Sequence, residues 1–290
     1  MRLVIPKGSL EEQTLRLLEA ADLRVRRGSP RDYHASIDDE RIERVSLLRP
    51  QEIPRYVAEG YFDLGITGRD WMVETGAEVE ELASLDYAKS GIGRGVRIVL
   101  AVPVDHPANS AKELPAGTHI STEYENLTRS YFEQLGIPVT VSWSYGATEA
   151  KVPEIVDAIV DVTETGSTLR AHGMKVIETL MDSEVLLVAN RASYSDVEKR
   201  GAMSDVTTLL LAALRAQGKV LIKLNVSHEQ LGELLGVVPA MKSPTVSELS
   251  QGGYAVETVV EKSQVNRLIP LLKAYGATDI LELPISKIVP

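Results

Sequence analysis

The sequence has no cysteine, which excludes disulfides, thiolate metal sites and cysteine nucleophiles. Its five histidines, His34, His106, His119, His172 and His228, are scattered, and none is paired at metal-ligand spacing, so a zinc centre is not expected. There is no Gly-x-Ser-x-Gly elbow and no Walker phosphate loop. Gly91-Ile92-Gly93 lacks the third glycine of a dinucleotide fingerprint. No apolar run approaches the length that spans a bilayer. Met1-Arg2-Leu3-Val4-Ile5-Pro6 leads directly into a strand with no signal peptide before it, so a cytoplasmic location is expected. Basic residues are outnumbered, 31 Lys and Arg against 41 Asp and Glu, for a net charge of -10. That balance argues against non-specific nucleic-acid binding. It leaves anionic small molecules open, because a few placed cations and N–H groups decide such binding locally. No helix-turn-helix with basic flanks, solenoid repeat or low-complexity tract appears.

What is present is an ordinary globular composition, 44% hydrophobic and 25% charged over 290 residues, enough for two or three domains. The organising stretch runs from Asp157 to Leu169. Ile159, Val160 and Val162 read as a covered strand, Asp161, Glu164 and Thr165 fall at its end, and Gly166 permits a tight turn. Ser167 or Thr168 is placed to cap a helix starting near Leu169. A helix start rich in hydroxyls is a phosphate cradle, and carboxylates beside it suit the hydroxyls of a sugar or a metal. A phosphorylated sugar meets both demands.

The same grammar recurs upstream. Leu3 to Ile5 is a strand followed by Pro6-Lys7-Gly8, with Ser9 and Glu12 spaced as a capping box. Residues 24 to 43 read as a loop or hairpin. Val45 to Leu48 is a strand ending at Arg49, and Phe62 to Ile66 another, ending at Thr67-Gly68-Arg69-Asp70, with Asp70 placed as a cap. Ligands of open α/β sheets bind beyond the carboxyl ends of strands, so Lys7, Arg49 and Thr67 to Asp70 can face one crevice. Arg97 to Pro103 is a buried strand, after which the chain crosses to a second lobe. There Thr122 and Glu125 form another box, and residues 174 to 181 read as a continuing helix. Glu184 to Asn190 returns as a strand, and Ser195 to Gln217 is a closing helix. The expected division is lobe I over residues 1–102 with 184–217, lobe II over 103–183, and a third domain over 218–290. In that third domain the order strand-helix-strand-strand-helix-strand is ferredoxin-like α+β.

Pro6-Lys7-Gly8-Ser9-Leu10, Asp63 to Asp70, Thr122-Glu123-Tyr124 with Asn126 to Arg129, and Asp157 to Leu169 together resemble the ATP phosphoribosyltransferase family, in its long form, across nearly the whole chain. The resemblance implies an α/β fold with a two-lobed, periplasmic-binding-protein-like (type II) catalytic unit and a C-terminal regulatory domain. It implies a magnesium-dependent pentosyltransferase that opens histidine biosynthesis. Adenine N1 of ATP displaces diphosphate from 5-phosphoribosyl 1-diphosphate, and Mg2+ travels with the phosphates. On that reading Asp161, Glu164, Thr165, Gly166, Ser167 and Thr168 bind the phosphoribosyl group. Lys7, Gly8, Thr67, Gly68, Arg69 and Asp70 bind ATP, and Lys7, Arg49 and Asp161 serve the chemistry. Histidine is the implied inhibitor, with Ser243-Pro244-Thr245 as the contributing segment and Asn225 and Ala255 nearby. The implied assembly is dimers forming a hexamer. Glu154 and Val156 replace a glycine and a small residue of the family signature, and the spacing from Glu149 to the loop is one residue short. The competing readings are a cytoplasmic two-lobed sensor without catalysis and an inactive relative.

Overall fold

The structure, a computed structural model, describes every residue except 86, 89, 90, 93, 94 and 242. Gly93 of the Gly91-Ile92-Gly93 run therefore lies outside the described residues. The chain opens with β1 (Arg2–Pro6), α1 (Glu11–Ala20), β2 (Val25–Arg26), β3 (His34–Ile37), β4 (Arg44–Leu48), α2 (Ile53–Ala58), β5 (Leu64–Gly68) and α3 (Arg69–Thr75). It continues through β6 (Glu80–Leu85), β7 (Tyr87–Ala88), β8 (Gly91–Ile92) and β9 (Val96–Pro103). Then come β10 (His119–Thr122), α4 (Glu125–Leu135), β11 (Thr140–Trp143), β12 (Ala158–Thr163), α5 (Ser167–Ala171), β13 (Met174–Ser183) and β14 (Val185–Ala189). Two helices follow, α6 (Arg191–Ser195) and α7 (Val197–Ala216). The last part holds β15 (Lys219–Val226), α8 (Leu231–Leu235), β16 (Thr245–Glu248), β17 (Tyr254–Glu261), α9 (Val265–Ala274) and β18 (Thr278–Pro284). Two compact units result, Met1–Glu19 with Leu23–Thr207, and Ala20–Asp22 with Thr208–Pro290.

The first unit holds two large sheets and the small β7-β8 ribbon. One has the order β2-β3-β4-β1-β5-β14-β6 and the other β11-β10-β12-β9-β13. In each, two parallel βα units flank a first strand, and an antiparallel strand from beyond the crossing is wedged before the last one. That shared order, with two crossings, is the type II periplasmic-binding-protein arrangement. The division expected between residues 102 and 103 falls inside β9, which pairs with β13 along its whole length and with β12 from Arg97 to Ala101. The chain has thus crossed before Val96.

Residues 174–183 are strand β13, not a continuing helix. The reason lies in two register shifts, between Val176 and Glu178 and between Thr179 and Met181. Each bulge breaks the two-residue alternation. Ile177, Leu180 and Met181 consequently all pack on the core of Ile98, Leu100, Ile120 and Val160, at a spacing that imitates a helix.

Several expected helix caps are made by other groups. The Ser9–Glu12 box does not form, because Glu11 takes the Gly8 N–H (3.2 Å) and pairs with Arg27 (2.7 Å). Thr122 Oγ1 accepts from the Tyr124 N–H at 2.9 Å, one residue short of the α4 start. Gly166, not Ser167 or Thr168, is the N-cap of α5, and Gly68, not Asp70, that of α3.

The lobe I sheet is tied to the following helices at Asp63, whose side chain is 3% exposed. Burial pushes this carboxyl up, but hydrogen bonds from Lys199 Nζ (2.8 Å), the Arg2 N–H (2.7 Å) and Ser193 Oγ (2.7 Å) outweigh it and hold it well below the usual range. A depressed acid stabilises the fold above its unfolded value of about 3.9 and loses that contribution as pH falls through the native value. Lys199→Met is expected to lower unfolding free energy at pH 7 by about 2 kcal/mol, less than for a fully buried pair because the lysine is partly exposed. Urea titration at pH 7 and pH 3 checks this, and the gap between variant and parent should shrink at pH 3.

The second unit is a four-stranded antiparallel sheet in the order β16-β17-β15-β18, with α8 and α9 on one face. This is the ferredoxin-like order. Val220, Ile222, Leu224 and Val226 alternate into the core with Val256, Val260, Leu268 and Leu272. No helix among the described residues is long and apolar enough to cross a membrane.

Candidate functional site

Strand ends of both lobes surround a cavity of about 670 Å³. Lobe I brings Ser9 and Leu10 after β1, Pro50 and Gln51 after β4, and Gly68, Asp70 and Trp71 at the start of α3. Lobe II brings Glu123 and Tyr124 after β10, Glu149, and the turn from Asp161 through Leu169. This is where ligands of open α/β sheets bind.

The turn after β12 is held open by its own hydroxyls. Gly166 sits at φ 72°, a left-handed conformation that disfavours a side chain. Its N–H is turned inward. It donates to Thr163 Oγ1 at 2.8 Å. Thr165 Oγ1 bonds Ser167 Oγ at 2.9 Å and accepts the Ser167 N–H at 3.3 Å. Arg170 Nη1 donates to the Thr165 carbonyl at 3.0 Å and braces the turn from outside. Glu164, Thr165, Ser167 and Thr168 therefore face the cavity, with Gly166 buried beneath them.

Asp161 stands at the edge of this turn. Burial pushes its carboxyl up to about 6, helped by the like charges of Glu149 and Glu123, while the Val162 N–H (2.7 Å) and the Lys151 ammonium pull it down. At neutral pH it is mostly ionised, and it changes charge just below.

The remaining predicted residues divide. Gly68 and Asp70 line the cavity, and the missing Cβ of Gly68 leaves room for the Asp70 carboxylate. Asp70 accepts from Tyr124 Oη (2.8 Å) and from Ser183 Oγ (2.7 Å). Thr67 is buried and donates to the Pro50 carbonyl at 3.1 Å. Arg69 lies outside the lining, in ion pairs with Glu184 (2.8 Å) and Glu81 (3.1 Å). Lys7, Gly8 and Arg49 also lie outside the lining, in a separate group. Lys7 Nζ donates to the Arg31 carbonyl at 3.1 Å and sits 4.0 Å from the Tyr33 ring centroid. Arg49 Nη1 is 3.3 Å from where a Gly8 Cβ would be. These two cations are one and two residues from the lining residues Pro50 and Ser9.

Sequence reasoning missed Trp71, Tyr124, Ser183 and Glu149 as wall residues. Trp71 and Tyr124 stack at 4.5 Å, and burial with the facing Asp70 carboxylate raises the Tyr124 phenol well above its usual range. It keeps its proton and donates it to Asp70. For Trp71, Tyr124 and Ser183 the partner comes from the other lobe or the crossing strand. The described lining carries Asp70, Glu123, Glu149, Asp161, Glu164 and Glu184, and no lysine or arginine. No group of three or more described His, Cys, Asp or Glu residues could hold a metal ion.

In the second unit, Asn225 and Ala255 are register partners on β15 and β17. Ser247 and Thr245 of β16 lie opposite Ala255 and Glu257. Strand alternation puts Asn225, Ala255 and Thr245 together on the face away from α8 and α9. Asn225 Nδ2 also donates to Asp279 Oδ2 at 3.0 Å.

The family model described as ATP phosphoribosyltransferase matches residues 49–212, and that described as HisG, C-terminal domain, matches residues 216–287. An ATP phosphoribosyltransferase of Desulforudis audaxviator (strain MP104C) is 45% identical over 293 residues, covering 100% of this chain and 99% of its own. One from Koribacter versatilis (strain Ellin345) is 47% identical over 290 residues, covering 100% and 99%. Among solved structures, the ATP phosphoribosyl transferase (HisG:HisZ) complex from Thermotoga maritima superposes with a TM-score of 0.61 at 25% identity, covering 73% of this chain and 96% of that one.

Proposed function

We propose that this chain, which belongs to the ATP phosphoribosyltransferase family, joins adenine N1 of ATP to the anomeric carbon of 5-phosphoribosyl 1-diphosphate. The N1–C1′ bond forms as the bond to diphosphate breaks, the configuration inverts, and phosphoribosyl-ATP and diphosphate leave. The observation that carries this reading is the Asp161–Thr168 turn: a carboxylate beside a hydroxyl-rich helix start, both on the wall of one cavity. Thr165, Ser167 and Thr168 receive the 5′-phosphate, together with N–H groups of the first turn of α5. Ionised Asp161 accepts from the ribose hydroxyls, and Glu164 lies beside it. Lys7 and Arg49 offset the charge of the diphosphate and triphosphate from the rim. Adenine N1 brings its own lone pair, so the reaction asks for placement and leaving-group stabilisation rather than a protein base. Mg2+ accompanies the phosphates and supplies charge neutralisation there. Asp70 holds Tyr124 and Ser183 and so shapes the ATP side of the cavity, with Gly68 beneath it. Arg69, engaged by two carboxylates, reaches ATP only by exchanging a partner.

The face carrying Asn225, Ala255 and Thr245 is the proposed seat of histidine as feedback inhibitor of the first step of histidine biosynthesis. Subunits assembling as dimers and then a hexamer complete the reading. A coupled assay with ATP, 5-phosphoribosyl 1-diphosphate, Mg2+ and pyrophosphatase tests it. Phosphoribosyl-ATP should form and histidine should suppress it. Formation insensitive to histidine removes the effector site. No product from a folded, ATP-binding protein sinks the catalytic reading in favour of a sensor.

A further inference from the structure

The wall of the cavity divides by chemistry. On the lobe I side stand Leu10, Pro50 and Trp71, apolar surfaces that suit the flat faces of a purine. On the lobe II side, from Glu149 to Thr168, stand mostly hydroxyls and carboxylates. A single described lining residue carries a side-chain amide. It is Gln51, directly after Pro50 and two residues beyond Arg49.

Gln51 is only half satisfied. Its Nε2 donates across the cleft to Glu123 Oε2 at 3.3 Å, beyond the usual range of about 2.7–3.2 Å. That bond fixes which end of the amide is which, because a carboxylate accepts and has nothing to donate to an amide oxygen. Oε1 is left buried, with no hydrogen-bond partner among the described residues. Thr128 Oγ1 is the other such atom, and it lies off the cavity wall. A buried acceptor without a donor is costly. An amide held at one end by a long bond gains by turning into the cavity, toward a group that offers a donor and an acceptor side by side.

Adenine offers that pair on one edge, where N6–H donates and N7 accepts. A glutamine amide matches both at once. The neighbouring edge carries N1, whose lone pair forms the new bond and has to stay free of any donor. Guanine and hypoxanthine carry an oxygen at position 6, so their N7 edge shows two acceptors. Either orientation of the amide then sets its own oxygen against a lone pair.

We propose, on the footing of the reaction above, that Gln51 selects the base: Oε1 accepts from adenine N6–H, Nε2 donates to N7, and N1 is left free toward lobe II. The purine lies against Leu10, Pro50 and Trp71. Glu123 holds the amide until the base arrives and then releases it.

The test is the Kd of the full-length protein for ATP, 7-deaza-ATP and purine riboside triphosphate, measured by isothermal titration calorimetry in the parent and in Gln51→Met. The first analogue lacks the N7 acceptor and the second lacks the 6-amino group. The parent should bind each analogue roughly tenfold more weakly than ATP. Methionine is close to glutamine in length but has neither polar atom. Gln51→Met should bind ATP roughly tenfold more weakly and treat the three nucleotides alike. Equal binding of all three by the parent overturns the assignment with no variant needed, so poor folding of Gln51→Met leaves the test intact. A folded Gln51→Met that keeps the parental preference overturns it as well, since the glutamine would then act only through Glu123. Base selection as expected, in a parent that makes no phosphoribosyl-ATP, overturns the catalytic reading instead and leaves Gln51 as the base reader of a sensor.

Discussion

Gly166→Val is expected to lower kcat/KM for 5-phosphoribosyl 1-diphosphate by about 100-fold or more in a protein that still folds. A valine at φ 72° carries left-handed strain, and its Cβ would meet Arg170 Nη1 at 3.0 Å. The arginine can swing away, but the backbone cannot keep that angle cheaply with a β-branched side chain. Relaxation rotates the peptides on either side of residue 166. The Gly166 N–H then leaves Thr163 Oγ1, and the start of α5 turns with it. Ser167 and Thr168 lose their aim at the cavity, and a misplacement of about 1 Å costs about two decades in rate. The fold survives because Thr165, Ser167 and Thr168 are exposed and the sheet beneath is paired on both sides of β12. Gly166→Ala should fall between parent and valine. Steady-state kinetics with a thermal melt decide the matter, and a parental kcat/KM in a folded valine variant would remove this turn from the substrate site.

Glu74→Ala is expected to destabilise the protein by about 3 kcal/mol, a large effect for a residue outside the apolar cores. Glu74 belongs to α3 of lobe I, yet its carboxylate takes the Asn126 and Leu127 N–H groups at the start of α4 in lobe II, both at 3.0 Å. Asn126 Nδ2 returns a bond to the Glu74 carbonyl at 2.9 Å. The first turn of a helix has no internal acceptors for its N–H groups, and Leu127 is buried away from water. Truncation leaves a buried donor unpaired and removes a negative group from a positive helix end. Glu74→Gln keeps one acceptor and should cost about half as much. Chemical denaturation of the three proteins measures the difference, and a loss under about 1 kcal/mol in Glu74→Ala would mean that water caps α4 adequately.

Alternation and strand-end turns made both lobes and the ferredoxin-like domain readable, because each apolar run is short and bounded by glycine or a cap-like residue. Asp161 and Thr165 to Thr168 were readable for the same reason, since one strand, one turn and one helix start supply them all. The wall opposite was not. Tyr124 and Asp70 meet across 54 positions and Ser183 and Asp70 across 113, so no window of sequence contains the pair. Asp70 looks like a helix cap until distant partners claim the carboxylate. Arg69 looks like a free cation until Glu184 is seen beside it. β13 was misread because its two bulges bring Ile177, Leu180 and Met181 to one face, a pattern that local periodicity assigns to a helix.

The stack of Trp71 on Tyr124 also gives the protein an optical handle. There are two tryptophans, and they sit in opposite surroundings. Trp71 is 7% exposed at the seam between the lobes, whereas Trp143 is 42% exposed at the end of an edge strand. Their emission should differ in colour, blue for the first and red for the second. Any parting of the lobes pulls the indole from its phenol neighbour and from the lobe II core. With Trp143 replaced by phenylalanine, a single tryptophan, excited to the red of tyrosine absorption, would report cleft opening as each substrate enters, with no label attached.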